Sequence, residues 1–134
     1  CLVDPEIGRL GDVDTARSVL KTASGRICVI SNTRRSGYGY DPRIEAFGSA
    51  GMLCAGNVSE DTVHTLSEAG MHAAPIKPGF AARYQQAYAA QIDHFAEIVH
   101  GRAQPRINYA DGLAALVLAE ACAESARSGQ VCRL

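Results

Sequence analysis

The stretch VDTARSVLKTASGRICVISNTR, residues 13–34, decides the first step of the fold. Two runs rich in β-branched residues, 13–21 and 26–34, flank the turn residues Thr22 to Gly25. Valine, isoleucine and threonine favour extended backbone, and glycine readily takes the positive φ that a tight turn needs. The stretch therefore predicts two neighbouring antiparallel strands joined as a β-hairpin.

Further extended segments follow this hairpin. Residues 43–48, RIEAFG, alternate polar and apolar side chains, and residues 52–57, MLCAGN, follow across Ser49-Ala50-Gly51. A three-residue loop that ends in glycine suits a hairpin with a bulge. DTVHTLSE, residues 61–68, and the short segment 71–74 predict a fifth and a sixth strand.

The last part of the chain has helical periodicity. Between residues 80 and 100 apolar side chains recur every three or four positions, which places them on one face of a helix that Gly101 would end. Asn108, with Asp111 three positions on, predicts the N-cap and capping box of a second helix that stops at Gly129. Strands first and helices last favour an α+β fold.

The expected architecture is an open-faced, mainly antiparallel β-sheet of about 5–6 strands with helices packed on one face. Two helices would leave the other face of this sheet bare. That face is not polar enough for solvent, because the strands carry apolar residues on both sides, among them Val29, Ile30, Ile44 and Leu53. We therefore expect another domain or another subunit to cover it.

Composition indicates a single soluble domain, residues 1–134, without nucleic-acid or membrane partners. The 134 residues carry 13 basic and 14 acidic side chains, a net charge near −1, and no basic face of the kind that binds nucleic acid. No apolar run approaches the roughly 18 residues that cross a bilayer. We expect a cytoplasmic protein. The chain begins at Cys1 without methionine, which suggests a fragment of a longer polypeptide.

The cysteines and histidines do not indicate a metal site. The five cysteines are odd in number, lie far apart and form no C-x-x-C pair, so we interpret them as buried thiols. The four histidines are scattered along the chain, without the spacing of paired ligands. We expect no bound metal.

The stretch RRSGYGYD, residues 34–41, carries more polar groups than a turn requires. Gly37 and Gly39 would allow a tight loop from which Tyr38 and Tyr40 project. A phenol offers a flat apolar surface to a sugar ring and a hydrogen-bonding group to its hydroxyls. Arg34, Arg35 and Asp41 could position these tyrosines or bond hydroxyls themselves. The alternative is a strand end and a glycine turn whose tyrosines pack for stability.

Gly37-Tyr38-Gly39 does not match the dinucleotide-binding motif G-x-G-x-x-G. Pro42 stands at the position of the third glycine, and a predicted strand follows where that motif requires a helix. No cofactor-binding residue is therefore predicted in this chain.

The chain resembles the C-terminal domain of the inositol 2-dehydrogenases in the glucose-fructose oxidoreductase/inositol dehydrogenase (Gfo/Idh/MocA) family. The motif NTRRSGYGYDPRIEAFGSAGML, residues 32–53, carries the resemblance. VDPEIGRLGDVDTA, residues 3–16, looks like the lead into that domain's sheet, and residues 80–101 and 109–130 look like its paired closing helices. The resemblance extends over essentially the whole chain.

The resemblance implies a glyceraldehyde-3-phosphate dehydrogenase-like C-terminal domain, whose open sheet mediates dimer and tetramer contacts. It implies an N-terminal Rossmann domain, absent from this chain, that carries NAD or NADP. The implied reaction of the full-length protein is NAD-dependent oxidation of myo-inositol to 2-keto-myo-inositol, in inositol catabolism. The family's catalytic E-K-P and D-x-x-x-H motifs occur nowhere in these 134 residues. We therefore expect no catalytic residue here and no activity of this segment alone.

The resemblance also implies which residues meet the substrate. By position, Tyr40 matches a substrate-contacting tyrosine of the family, and Tyr38 and Asp41 shape the loop around it. Arg83 is a further substrate-binding candidate, with a solvated arginine at a helix start as its alternative. Two other interpretations stay open: a related sugar or polyol dehydrogenase, and a non-catalytic α+β interaction module that self-associates through its open sheet.

Overall fold

The computed structural model describes residues 4–134. The chain forms two compact units, one from residues up to Arg35 together with His100–Leu134, the other from Ser36–Val99. The elements in chain order are α1 (Pro5–Gly8), β1 (Thr15–Lys21), β2 (Ile27–Thr33), β3 (Ile44–Gly48), β4 (Gly51–Ala55), β5 (His64–Ser67), β6 (Gly70–Ala73), α2 (Phe80–Arg83), α3 (Gln85–Val99) and α4 (Tyr109–Ser128).

The first unit contains the β1–β2 hairpin that the sequence predicts. The strands pair antiparallel, from Thr15 opposite Thr33 to Lys21 opposite Ile27. Gly25 lies in the turn with a φ of 84°, the left-handed conformation expected of it. The predicted hairpin is therefore confirmed, with β1 beginning two residues later than the pattern suggested.

Helix α4, also in the first unit, has the ends that the sequence predicts. The Asn108 side chain accepts hydrogen bonds from the backbone N–H groups of Ala110 and Asp111, and the Asp111 side chain accepts one from the Asn108 N–H. This reciprocal capping box satisfies backbone donors that the first helical turn leaves free. Gly129 ends the helix with a φ of 68°.

The second unit contains two hairpins, β3–β4 and β5–β6, and its elements depart from expectation in two places. Gly51 is the first residue of β4 and pairs with Gly48, so the loop is the two residues Ser49-Ala50 and not the three expected. The predicted single helix is broken at Tyr84, whose φ of −112° and ψ of 16° are not helical. This break separates α2 from α3.

The α+β class with antiparallel strands is confirmed, and six strands lie among the described residues 4–134. Among the described residues, the hydrogen-bonded strand pairs are β1–β2, β3–β4 and β5–β6. Each strand pairs with its neighbour in sequence.

The faces of these hairpins are open. Among residues 4–134 no hydrophobic residue is buried, and on β3 and β4 Phe47 is 87% exposed and Leu53 78%. The prediction of buried cysteines is wrong for Cys28 and Cys54, which are exposed, because they lie on such uncovered strands. Cys122 and Cys132 are partly buried, and Cys1 lies outside the described residues.

Candidate functional site

The site is built on residues 36–43, which we call the tyrosine loop; it lies in the second unit and leads into β3. Gly39 has a φ of 127°, a conformation that side chains bearing a Cβ rarely adopt. A Cβ at this position would also collide with the side chain of Ile76. Only glycine fits here, because the loop backbone lies directly against Ile76.

Two extended segments, 57–60 and 75–77, support the tyrosine loop. They meet in an antiparallel bridge, with Glu60 N–H donating to the Pro75 carbonyl and Lys77 N–H to the Val58 carbonyl, both at 2.9 Å. The Lys77 carbonyl in turn accepts a 2.9 Å hydrogen bond from the Tyr40 N–H. Tyr40 is thereby tied through its backbone to a segment more than thirty residues away in sequence.

The Asp41 carboxylate is the centre of a hydrogen-bond cluster formed with Tyr38, Arg43 and Asn57, which we call the Asp41 cluster. The Tyr38 hydroxyl donates at 2.6 Å and the Asn57 amide at 2.7 Å. The Arg43 guanidinium donates twice, through Nε at 2.7 Å and through a terminal nitrogen at 2.8 Å. The Asp41 side chain is 11% exposed. All its strong acceptor positions face donors of the protein.

The hydrogen bonds from Arg43, and after it from Tyr38 and Asn57, hold the pKa of the Asp41 carboxyl well below its usual range. They favour the ionised form, which accepts bonds but donates none. Because the folded pKa is depressed, the ionised carboxylate stabilises the fold above the pKa of an unfolded aspartate. That contribution is lost as the pH falls through the folded value.

We expect this linkage to be visible when Asp41→Asn is compared with the unaltered protein. At neutral pH the variant should have a lower thermal midpoint, because an amide cannot accept all the bonds of the carboxylate. The difference should shrink as the pH falls below the ordinary aspartate pKa, and thermal melts across this range measure it. Asp93→Asn, on α3, is the matched control; a difference that stays constant with pH would contradict the linkage.

Tyr40 lies at one end of a row of three side chains. Its ring meets that of Tyr84 edge to face, with centroids 5.9 Å apart and an interplanar angle of 86°. The guanidinium carbon of Arg83 lies 5.3 Å from the Tyr84 ring centroid, a cation–π contact. Tyr40 is 36% exposed. The break between α2 and α3 falls at Tyr84, the residue that packs against Tyr40.

Arg83 has an enclosed polar atom without a protein partner. Among residues 4–134 its Nε is shielded from solvent yet makes no hydrogen bond. A buried donor left unpaired is costly, and such groups are rare in proteins unless water or a ligand satisfies them. The Arg83 Nε–H is therefore suited to donate a hydrogen bond to an oxygen atom of a bound molecule next to the Tyr40–Tyr84 pair.

The predicted site residues are largely brought together. Tyr38, Tyr40 and Asp41 share the tyrosine loop, and Arg83 joins them through Tyr84. The predicted involvement of Arg34 and Arg35 with the tyrosines is not found. Arg34 pairs with Asp12, and Arg35 pairs with Asp4 at 3.0 Å and Glu6 at 2.9 Å, so both arginines are committed to the N-terminal segment.

Three residues of the site escaped prediction: Arg43, Asn57 and Tyr84. The opposite charges of Asp41 and Arg43, two positions apart around Pro42, are a local signal that could have suggested their pairing. Tyr84 lies within residues 80–100, whose spacing predicts one face of a helix and not a contact with Tyr40. The contacts of Asn57 with Asp41 and of Tyr84 with Tyr40 join distant parts of the chain, which spacing in the sequence does not reveal.

Residues 4–134 do not have the features of a metal site, a dinucleotide site or a membrane-spanning helix. In the described range 4–134 no group of three or more His, Cys, Asp and Glu side chains is placed to hold a metal ion. Gly37-Tyr38-Gly39 leads into β3, so it does not present the helix N-terminus that a dinucleotide pyrophosphate requires. None of the helices in this range is both long and apolar enough to cross a bilayer.

Comparison with known proteins finds a family and several relatives. Residues 3–134 match the model described as "Oxidoreductase family, C-terminal alpha/beta domain" of the Gfo/Idh/MocA proteins. The chain is similar to a myo-inositol 2-dehydrogenase of Thermotoga maritima, 44% identical over 92% of this chain and 37% of the relative. It is also 32% identical, over 99% of its length and 39% of the relative, to a scyllo-inositol 2-dehydrogenase (NAD(+)) of Bacillus subtilis.

A solved structure has the same fold. The crystal structure of a myo-inositol dehydrogenase from Corynebacterium glutamicum superimposes with a TM-score of 0.87 at 39% identity, over 97% of this chain and 39% of that one. The chain thus spans less than two-fifths of the length of the proteins it resembles.

Proposed function

This chain belongs to the Gfo/Idh/MocA oxidoreductase family, whose C-terminal alpha/beta domain it matches, and from that membership we propose that it is the substrate-binding and oligomerisation domain of an NAD-dependent inositol 2-dehydrogenase-like enzyme. The substrate class proposed is a polyol, with myo-inositol first because a relative at 44% identity carries that name. The complete enzyme would be longer, with an N-terminal Rossmann domain, and a cytoplasmic location is part of the proposal.

The observation that carries the proposal is the placement of Tyr40. Its phenol is partly exposed, and its backbone is fixed by Lys77 and by the neighbouring Asp41 cluster. A phenol held in this way offers one donor and one acceptor to a ring hydroxyl, and its face covers the carbon-bound hydrogens of the ring. At this position the orientation of a polyol hydroxyl would thus be recognised by a neutral group.

Arg83 and the remaining tyrosine-loop residues have different parts in this proposal. Arg83 would donate from its unpaired Nε to a second hydroxyl, beside the Tyr40–Tyr84 pair. Tyr38 donates its hydroxyl proton to Asp41 at 2.6 Å, so towards the substrate it could offer its ring or accept at its hydroxyl oxygen, but not donate. Asp41 is saturated by protein donors and would act on the substrate through the shape of the loop.

The cofactor proposed is NAD, or NADP, bound outside this chain. A relative from Bacillus subtilis carries NAD(+) in its name. The residues here do not fit that group, because Gly37-Tyr38-Gly39 leads into a strand. Neither an E-K-P nor a D-x-x-x-H sequence occurs among the 134 residues, so the groups that transfer the proton would also belong to the rest of the enzyme.

The direct test compares the parent enzyme with residues 1–134 in NAD reduction by myo-inositol, followed by the absorbance of NADH. We expect the parent to reduce NAD and the segment to be inactive under the same conditions. Scyllo-inositol and glucose, assayed in parallel, would separate inositol dehydrogenases from other polyol or sugar dehydrogenases. A parent enzyme inactive with every polyol would remove the proposed function.

The second candidate is a self-associating interaction module, favoured by the open apolar strand faces. Phe47 at 87% and Leu53 at 78% exposure are unusual for a protein that remains alone in water. The two functions separate in one pair of experiments on the parent protein, light scattering and the polyol assay. A dimer or tetramer with dehydrogenase activity supports both proposed roles of the domain, whereas an oligomer without activity leaves the interaction module.

A further inference from the structure

Asn57 and Arg43 lie just outside the two strands of the β3–β4 hairpin, and both bond Asp41. Ile44 of β3 pairs with Ala55 of β4, so the residue before β3 and the residues after β4 emerge at the same open end of that hairpin. Arg43 immediately precedes Ile44, and Asn57 follows Ala55 by two positions. The Asp41 carboxylate bonds both, and thereby fastens the tyrosine loop across the end of the hairpin.

The orientation of the Asn57 amide is specific to this role. Its Nδ2 donates to Asp41 at 2.7 Å, while its Oδ1 is enclosed and makes no hydrogen bond with the described residues. The opposite orientation would place the amide oxygen against an ionised carboxylate. The amide therefore donates to Asp41 although its own oxygen has no hydrogen-bond partner among the described residues.

Tyr40 is the residue whose position these bonds determine. It directly precedes Asp41, and its own N–H is bound to the Lys77 carbonyl. Tyr40 and Asp41 share one planar peptide unit with Cα atoms about 3.8 Å apart, so a displacement of Asp41 also changes the backbone at Tyr40. A hydroxyl–hydroxyl hydrogen bond tolerates only a few tenths of an ångström around its preferred length. Loss of the hydrogen bond from Asn57 or Arg43 to Asp41 would therefore misplace the Tyr40 phenol.

We propose that Asn57 and Arg43 are positioning residues for Tyr40, which hold the tyrosine loop through the Asp41 carboxylate and do not themselves touch the polyol. The inference rests on the proposed function, since it gives Tyr40 a substrate to contact. It extends that function by making the affinity for the polyol depend on two side chains that bond the Asp41 carboxylate and not the ligand.

The test is a double-mutant cycle in the parent enzyme with Asn57→Ala, Tyr40→Phe and the double variant, assayed with myo-inositol and NAD. Asn57→Ala alone should raise the KM for myo-inositol about two- to tenfold, the equivalent of one hydrogen bond. The KM for NAD should not change. In the Tyr40→Phe background the same substitution should have little further effect, because coupled residues do not give additive losses.

Two further variants complete the design. Asn32→Ala, an exposed asparagine on β2, is the matched control and should leave both KM values unchanged. Arg43→Lys keeps the charge but cannot donate in the bidentate manner, so it should give an intermediate rise in the KM for myo-inositol. It also serves as the decisive variant if Asn57→Ala does not fold.

The outcomes distinguish failure of the positioning role from failure of the proposed function. If Tyr40→Phe lowers kcat/KM but the losses from Asn57→Ala multiply with it, the positioning role is overturned and the proposed function stands. If both KM values rise together in Asn57→Ala and Arg43→Lys, the residues are structural and the positioning role is again overturned. If Tyr40→Phe changes nothing, Tyr40 does not contact the polyol, and the positioning role and that part of the proposed function fail together.

Discussion

Replacing Gly39 with valine is expected to lower kcat/KM for myo-inositol at least about a hundredfold in the parent enzyme, because a displacement of the order of 1 Å at a binding group has this effect. The backbone φ of 127° is strained for any residue with a Cβ, at a cost of order 1–3 kcal/mol. The added side chain would also collide with Ile76. The loop would have to move, and Tyr40 would lose its bond to Lys77.

The matched control for this change is Gly37→Ala, two positions earlier in the same loop. A Cβ at Gly37 would meet nothing within 4 Å, and its φ is not in the left-handed range. Alanine there should leave kcat/KM nearly unchanged and could raise stability slightly, since it restricts the unfolded chain. Equal activity of Gly39→Val and Gly37→Ala in steady-state assays would contradict the view that the tyrosine loop needs its observed conformation.

Tyr40→Phe is the second change with a large expected effect. It removes one hydroxyl and keeps the ring, so packing against Tyr84 is preserved. Leaving a hydroxyl of the bound polyol without its hydrogen-bond partner costs about 1–3 kcal/mol. At 1.36 kcal/mol for each factor of ten, kcat/KM for myo-inositol should fall about five- to 150-fold.

Tyr109→Phe is the control for this substitution, because Tyr109 is 84% exposed at the start of α4 in the other unit. It should have unaltered steady-state kinetics. A Tyr40→Phe enzyme with unaltered kcat/KM would show that the phenol hydroxyl does not recognise the polyol. A loss for every cyclitol and none for an acyclic polyol would instead locate the contact on a ring hydroxyl.

The elements that the sequence predicts well are those with local signals. Asn108, Asp111 and Gly129 mark the ends of α4 because capping depends on groups within a few residues of each other. The β1–β2 hairpin follows equally from a glycine turn between two extended runs. In both cases the interactions that stabilise the element join residues close together in sequence.

The parts that sequence reasoning missed depend on distant contacts. The helical pattern from residue 80 onward is continuous, yet the helix is interrupted at Tyr84. Tyr84 packs against Tyr40, which lies more than forty positions earlier in the sequence. Likewise, Asp41 was recognised as a loop residue without its partner Asn57. Tyrosines at helical spacing predict a packed face, but they do not reveal which of them packs against the candidate site.

The open strand faces have a thermodynamic consequence. Folding is driven mainly by removal of apolar surface from water, and among residues 4–134 that removal is incomplete, with side chains such as Phe47 and Leu53 left in solvent. A domain or subunit that covered these faces would also contribute free energy of folding, and folding and association would then form one linked equilibrium. Exposed apolar strand residues such as Phe47 and Leu53 would then be constrained as interior residues are, because a substitution that weakens association would also lower the stability of the fold.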